Sequence, residues 1–310
     1  MIENTAHFIW LGNRFPYLNG LSLVSAAVRG GFDTVVLHHD DAIDDTPGWA
    51  IARRYDRVTK QRLQPSAVFG ALPELGERLT ALYNTLEQPA ARANMLRAAL
   101  LYCLGGVYLD TDIITVRSFG PLLRDKAFAG EERIVFPAAL SKSRNPIDYL
   151  VAGARFAVRD LYRRRPDGWR GFRHIERHYP RVVNNAVLGA PTGSDAMALL
   201  LETMLRLPPD RQRRRYALGT HLLETSVADH PELFDIYPPA YFYPIGPEVS
   251  EHWFKRTHRA DPDAMLLPET VGVHWYASVR CAAYAERATD EWIRTERGER
   301  PICALTAPFI

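Results

Sequence analysis

The sequence predicts an α/β fold, and three observations carry that prediction. The first 40 residues read as strand, helix, strand with tight connections. Further on, a helix closed by Gly105-Gly106 runs directly into a short apolar segment and two carboxylates. The composition, 47% hydrophobic and 24% charged, is that of an ordinary globular protein.

Taken in order, the first element is the apolar run His7-Phe8-Ile9-Trp10-Leu11, closed by Gly12. Leu18 to Gly30 has helical apolar spacing and stops at Gly30-Gly31, and Thr34 to His38 is β-branched and strand-like. The acidic stretch Asp40 to Asp45 suits a loop. Residues 50–80 are mixed, with Pro65 and Pro73 breaking any long helix. From Pro89 to Leu104 the stripe Ala90, Ala93, Leu96, Ala99, Leu100, Cys103 predicts a helix, terminated by glycines free to adopt left-handed backbone. Val107-Tyr108-Leu109 reads as a buried strand, and Ile113 to Val116 as a second apolar run. Ile147 to Arg165 is amphipathic and helical, Val182 to Ala190 is strand-like, and Ser194 to Leu205 is helical. Val271 to Trp275 is a late apolar run, and a last helix is expected over Cys281 to Arg297. One continuous domain over 1–310 is expected, with helical insertions near 145–180 and 195–230.

Composition excludes several classes. Lys and Arg number 38 against 36 Asp and Glu, a net charge of +2, so no global field draws the chain to nucleic acid. The cysteines Cys103, Cys281 and Cys303 lie far apart with no CxxC spacing, which argues against a zinc site or a disulfide framework. The N-terminus lacks a basic segment followed by a long apolar one, and no window has the length of a membrane span. A reduced, cytoplasmic protein without a transmembrane segment is the expectation, with peripheral membrane contact still open.

The chemistry concentrates at Asp110-Thr111-Asp112. Two carboxylates at i and i+2, directly after a buried strand, emerge at the strand's C-terminal end, where α/β sheets bind ligands. Paired hard oxygen ligands suit Mg²⁺ or Mn²⁺ gripping a diphosphate. On its own a DXD is usually a solvated turn; the surrounding LYCLGGVYLDTDI is what raises it above that.

Those residues, with His7-Phe8-Ile9-Trp10-Leu11-Gly12 and Leu96-Arg97 upstream, resemble the DXD-containing sugar transferases of glycosyltransferase family 32. That family is related to capsular-polysaccharide sugar transferases and to the clostridial glucosylating toxins. The resemblance is strongest over 7–12 and 90–116, with a weaker match at His274-Trp275 and Ser278. It implies a GT-A fold: a Rossmann-like mixed central sheet flanked by helices, with helical insertions. Residues 1–120 would be the nucleotide-sugar half and 121–310 the acceptor half. The implied activity is a metal-dependent, retaining transfer of a sugar from a nucleoside diphosphate sugar, UDP-linked in preference to GDP-linked. The acceptor would be a hydroxyl of a carbohydrate, a natural product or a protein.

The resemblance also assigns roles. Trp10 matches a tryptophan that stacks on the base, with Ile9 and Leu11 backbone groups reading its edge; by residue type alone it reads equally as a core tryptophan. Arg97 matches an arginine on donor phosphate or sugar oxygens. Asp110 matches a carboxylate on ribose and sugar hydroxyls, and Asp112 the direct metal ligand, with His274 a late ligand or phosphate contact. Tyr108, Thr111, Trp275 and Ser278 fall among the donor-binding positions, and Asn184 or Asn185 resembles an asparagine beside the donor sugar, with Asn184 taken as the candidate. Two positions depart from the pattern. Ala93 and Asn94 stand where the family has Ser-Asp, and Val279 stands where a tryptophan is expected. Asn94 keeps hydrogen-bonding capacity and loses charge, so a catalytically degenerate nucleotide-sugar binder is the alternative. The arginine runs 163–165 and 211–215 read either as phosphate contacts or as solvated helix ends. Tyr237, Tyr241, Phe242 and Tyr243 read either as a sugar-stacking wall or as a core strand.

Overall fold

The computed structural model describes residues 1–214 and 216–310, so Arg215, last of its arginine run, lies outside the described residues. The strands are β1 (Thr5–Trp10), β2 (Thr34–His39), β3 (Val58–Arg62), β4 (Gly106–Leu109), β5 (Ile113–Thr115), β6 (Ala127–Arg133), β7 (Arg181–Ala190), β8 (Phe234–Tyr237) and β9 (Gly272–His274). Between them run α1 (Tyr17–Arg29), α2 (Pro47–Ala52), α3 (Pro65–Gly70), α4 (Gly76–Thr85), α5 (Pro89–Leu104), α6 (Pro146–Arg164), α7 (Gly168–Ile175), α8 (Asp195–Arg206), α9 (Pro209–Gln212), α10 (Thr220–Asp229) and α11 (Pro239–Phe242). The chain closes with α12 (Ala282–Arg287), α13 (Asp290–Glu296) and α14 (Pro301–Thr306).

Seven strands form the main sheet in the order β3-β2-β1-β4-β7-β6-β8. β3, β2, β1 and β4 are parallel, β7 runs antiparallel to β4 and β6, and β8 lies parallel to β6. Side chains alternate across it. Phe8, Val107, Leu109 and Phe128 feed a core shared with α1 and the C-terminal segments. Ile9, Tyr108, Leu188 and Ala129 feed a second core under α3–α5, α8 and α10. The expected mixed central sheet, flanked by helices on both faces, is what this chain builds.

Local chemistry explains the boundaries. Pro65 opens α3 at its first turn, where its missing N–H costs nothing, so the proline read as a breaker is a starter. Gly105 ends α5 with φ +65°, and a Cβ there would sit 1.7 Å from the Glu3 carboxylate. β3 and β6 carry no clear alternating pattern and were not expected from sequence. The expected last helix over Cys281–Arg297 is two helices. α12 stops at Arg287 and Thr289 caps α13, accepting a hydrogen bond from Trp292 N–H at 3.0 Å. Phe242 and Tyr243 are core residues at the end of a helical turn, so neither the exposed wall nor the strand describes them. The three cysteines are unpaired.

Candidate functional site

Chain order creates the crevice. From β1 the chain moves outward through β2 and β3, then returns to place β4 on β1's other side. The C-terminal ends of β1 and β4 therefore lie side by side at a topological switch point, where open α/β sheets take ligands. Trp10 ends the first strand; Asp110 follows the second. Asp40 supports the first loop, its carboxylate accepting from Gly12 N–H at 2.7 Å.

From the α5 side, Arg97 reaches the edge of β4. It is 6% exposed, its Nη2 lies 3.0 Å from Asp110 Oδ1, and Nη1 donates to the Asn185 carbonyl. The guanidinium also sits over the Tyr108 ring, 4.3 Å from its centroid. Tyr108 shares a face with Asp110, two residues on, and its hydroxyl donates to Asp110 Oδ1 at 2.6 Å. Burial pushes the Asp110 carboxyl up; Arg97 pulls it back, and the charge of Asp112 leaves it above its ordinary value.

From the other side comes a two-stranded ribbon. β5 pairs antiparallel with β9, setting Ile113 opposite His274. That register places His274 Nε2 3.1 Å from Asp112 Oδ1, while Oδ2 accepts from Ala277 N–H at 2.7 Å. Burial pushes Asp112 up, but the facing imidazole outweighs it and holds the carboxyl below its usual range. His274 is raised in turn: burial favours the neutral ring, and Asp112, then Asp110, override it.

Asp110, Asp112 and His274 each offer a ligand atom, and these lie within 4.8 Å of one another. Two carboxylates and an imidazole suit Mn²⁺ better than Mg²⁺, which prefers an all-oxygen set. His274 Nδ1 is buried without a hydrogen-bond partner among the described residues. A cation between Asp112 and His274 would take the place of their 3.1 Å contact, so the residues present fit a divalent metal.

The other expected positions divide. Thr111 is at the site, its carbonyl and hydroxyl accepting from Asn19 Nδ2 at 3.1 and 3.2 Å. Trp10 lies at the crevice, half-buried, with its ring edge-on to Phe15 at 5.0 Å and Nε1 buried without a partner. Ile9 is a core side chain and Leu11 is packed against that core. Trp275 is fully buried against Phe254 and presents no face to the crevice. Ser278 is exposed in the turn after Tyr276.

The two asparagines of β7 point to opposite faces. Asn185 reaches α5, its Nδ2 donating to Asn94 Oδ1 at 3.0 Å, beside Gly219. Asn184 turns the other way, its Oδ1 accepting from Ala186 N–H at 2.7 Å and its amide bonding Glu132. Glu132 is buried and also accepts from Tyr276 OH at 2.8 Å. The Tyr276 ring lies 3.9 Å from that of His274, and its backbone is left-handed at φ +56°. Sequence reasoning missed Asn19, Glu132, Gly219 and Tyr276, and it left Asn185 as the second choice behind Asn184.

Comparisons with known proteins bear on this geometry. Residues 35–129 match the family model described as a glycosyltransferase sugar-binding region containing a DXD motif. No curated protein sequence matches this chain. Among solved structures, PaToxG glycosyltransferase shares 16% identity, with 75% of this chain and 70% of that one covered at a TM-score of 0.47. Mouse xyloside xylosyltransferase 1 shares 12%, covering 88% and 98%, with a TM-score of 0.48. The UDP-bound glycosyltransferase domain of the YGT toxin shares 11%, covering 76% and 79%, with a TM-score of 0.41.

Proposed function

We propose that this chain, whose residues 35–129 match a glycosyltransferase sugar-binding region containing a DXD motif, moves a sugar from a nucleoside diphosphate, UDP in preference to GDP, to an acceptor hydroxyl with retention at the anomeric carbon. The observation that carries the reading is the meeting of Asp110, Asp112 and His274 beside Arg97 at the switch point. A Mn²⁺ or Mg²⁺ bound there would neutralise the diphosphate as negative charge builds on it.

The chain's own residues supply the rest. Asp112 and His274 offer the cation an oxygen and a nitrogen from a rigid ribbon. Arg97 is fixed by Asp110, Tyr108 and the Asn185 carbonyl, so its charge is aimed at the crevice before a donor arrives, with little reorganisation left to do. Asp110 Oδ1 is taken by Arg97 and Tyr108, leaving Oδ2 to accept from a donor hydroxyl. The Asn94–Asn185 pair stands beside Arg97 as neutral amides, which suits an uncharged sugar hydroxyl. The anomeric carbon–oxygen bond to phosphate breaks as the acceptor oxygen bonds the same face, its proton passing to the departing phosphate. The acceptor is a hydroxyl of a glycan, a natural product or a protein.

The test is a thermal-shift and hydrolysis screen of UDP- and GDP-sugars with Mn²⁺, against the same donors with chelator. Stabilisation and slow donor hydrolysis that both need the metal support the reading; a folded protein indifferent to every donor refutes it. Donor binding with metal, but neither hydrolysis nor transfer, would make the chain a nucleotide-sugar binder.

A further inference from the structure

Helix α6 is held to the protein along one side and bare along another. Ala152 and Arg159 are its buried residues. Arg159 Nη1 donates to Glu248 Oε2 at 2.7 Å, and the other oxygen of Glu248 accepts from Val135 N–H at 2.7 Å. Tyr179 OH donates to the Arg155 carbonyl at 2.8 Å. On the opposite side Ile147, Leu150, Val151, Val158 and Leu161 are between 40% and 75% exposed. At about 100° per residue they fall in one stripe about 100° wide, running the length of the helix. A continuous exposed apolar stripe marks a docking surface far more often than chance.

Charge selects the occupant. Residues 142–165 hold seven basic side chains against two acidic, although the whole chain is only +2. Arg159, Arg163 and Arg164 are paired with Glu248, Glu251 and Asp160, which leaves Lys142, Arg144, Arg155 and Arg165 without a carboxylate partner among the described residues. Both acids are already engaged: Asp160 pairs with Arg163 and Arg164, and Asp148 accepts from Ser143 and Asn145. Lys142 and Arg144 therefore frame one end of the stripe, and Arg164 and Arg165 the other. A second copy packed two-fold and antiparallel on this face would set cations against cations. An apolar stripe with basic ends matches the boundary between anionic headgroups and acyl chains. No helix among the described residues is long and apolar enough to cross a membrane, so the contact is peripheral.

We infer that α6 lies in the plane of an anionic lipid bilayer and docks the enzyme on it. This stands independently of the donor reading. The test is co-sedimentation of the full chain with vesicles of phosphatidylcholine alone and of phosphatidylcholine mixed with phosphatidylglycerol, at low and raised salt. Binding is expected to the mixed vesicles, weakened by salt. Leu150→Glu with Val158→Glu is expected to lower partitioning at least about tenfold while leaving the melting temperature unchanged, since both side chains face water. Lys142→Gln with Arg144→Gln should weaken binding to the mixed vesicles. Absence of binding at low salt, or equal binding by the glutamate variant, overturns the proposal. So does a wild-type dimer in solution that the glutamate variant converts to monomer.

Discussion

Replacing Arg97 with Leu removes a buried charge whose partner stays behind. Removing one member of a buried ion pair costs roughly 3–5 kcal/mol, because the remaining charge is left uncompensated. Asp110 keeps 28% of its side chain open to water and a hydrogen bond from Tyr108, so the lower end applies. The unfolding entropy of 310 residues, at about 2.1 cal/mol/K each, is about 0.65 kcal/mol/K. A loss of about 3 kcal/mol therefore lowers the melting temperature by about 5 °C. The deficit comes from the stranded carboxylate, so Asp110→Asn introduced beside Arg97→Leu should restore most of it. Differential scanning calorimetry of the three variants measures this. If Arg97→Leu melts within about 1 °C of wild type, or the double variant melts below the single one, Arg97 and Asp110 are not coupled as described.

Other measurements probe the rest of the site. Asp112→Asn and His274→Ala should each abolish Mn²⁺-dependent stabilisation by UDP while the protein stays folded; retained stabilisation would remove that residue from the metal set. Gly219→Ala puts a Cβ 2.6 Å from Asn94 Nδ2, so it should raise KM or lower kcat for the donor by roughly tenfold or less, with little change in melting temperature; unaltered kinetics would place the Asn94–Asn185 pair outside the sugar site. Burial lowers the buried pair His7 and His38 from 6.5 to about 4 and about 3. Their folded-state values lie below the unfolded one, so stability is full above pH 6.5 and falls with pH as the unfolded chain alone takes protons. Denaturant unfolding at pH 5 against pH 7.5 should show a loss of about 2 kcal/mol from each of the two, and His7→Gln should remove its own share; an unchanged slope would contradict it.

Legibility followed sequence distance. α5, its Gly-Gly stop, β4 and the DXD lie in one stretch, so local periodicity and turn chemistry located them within a residue or two. The partners that fix the geometry come from far along the chain. His274 was reached through resemblance, and its placement depends on the Ile113–His274 register, which no local pattern encodes. Asn184 and Asn185 were both candidates and Asn184 was preferred, because knowing that Asn185 is the one that meets Asn94 requires knowing which face of β7 carries α5. Glu132 sits on a strand whose Gly-Glu-Glu-Arg ending reads as solvated. Only the tertiary fold buries it against Tyr276 and Asn184. Trp275 shows the opposite failure: a motif position suggesting donor contact is occupied by a core side chain.

The β5–β9 ribbon also carries a consequence for biosynthesis. Its two strands are separated by more than half the chain, so the pairing that brings His274 to Asp112 is among the last contacts available as the polypeptide emerges from the ribosome. A nascent chain can complete β1, β4 and the Arg97 clamp on Asp110 well before this, yet it lacks the third ligand. The Asp110–Asp112–His274 cluster therefore closes only when the late segment arrives, and a chain interrupted before it keeps two carboxylates without their facing imidazole.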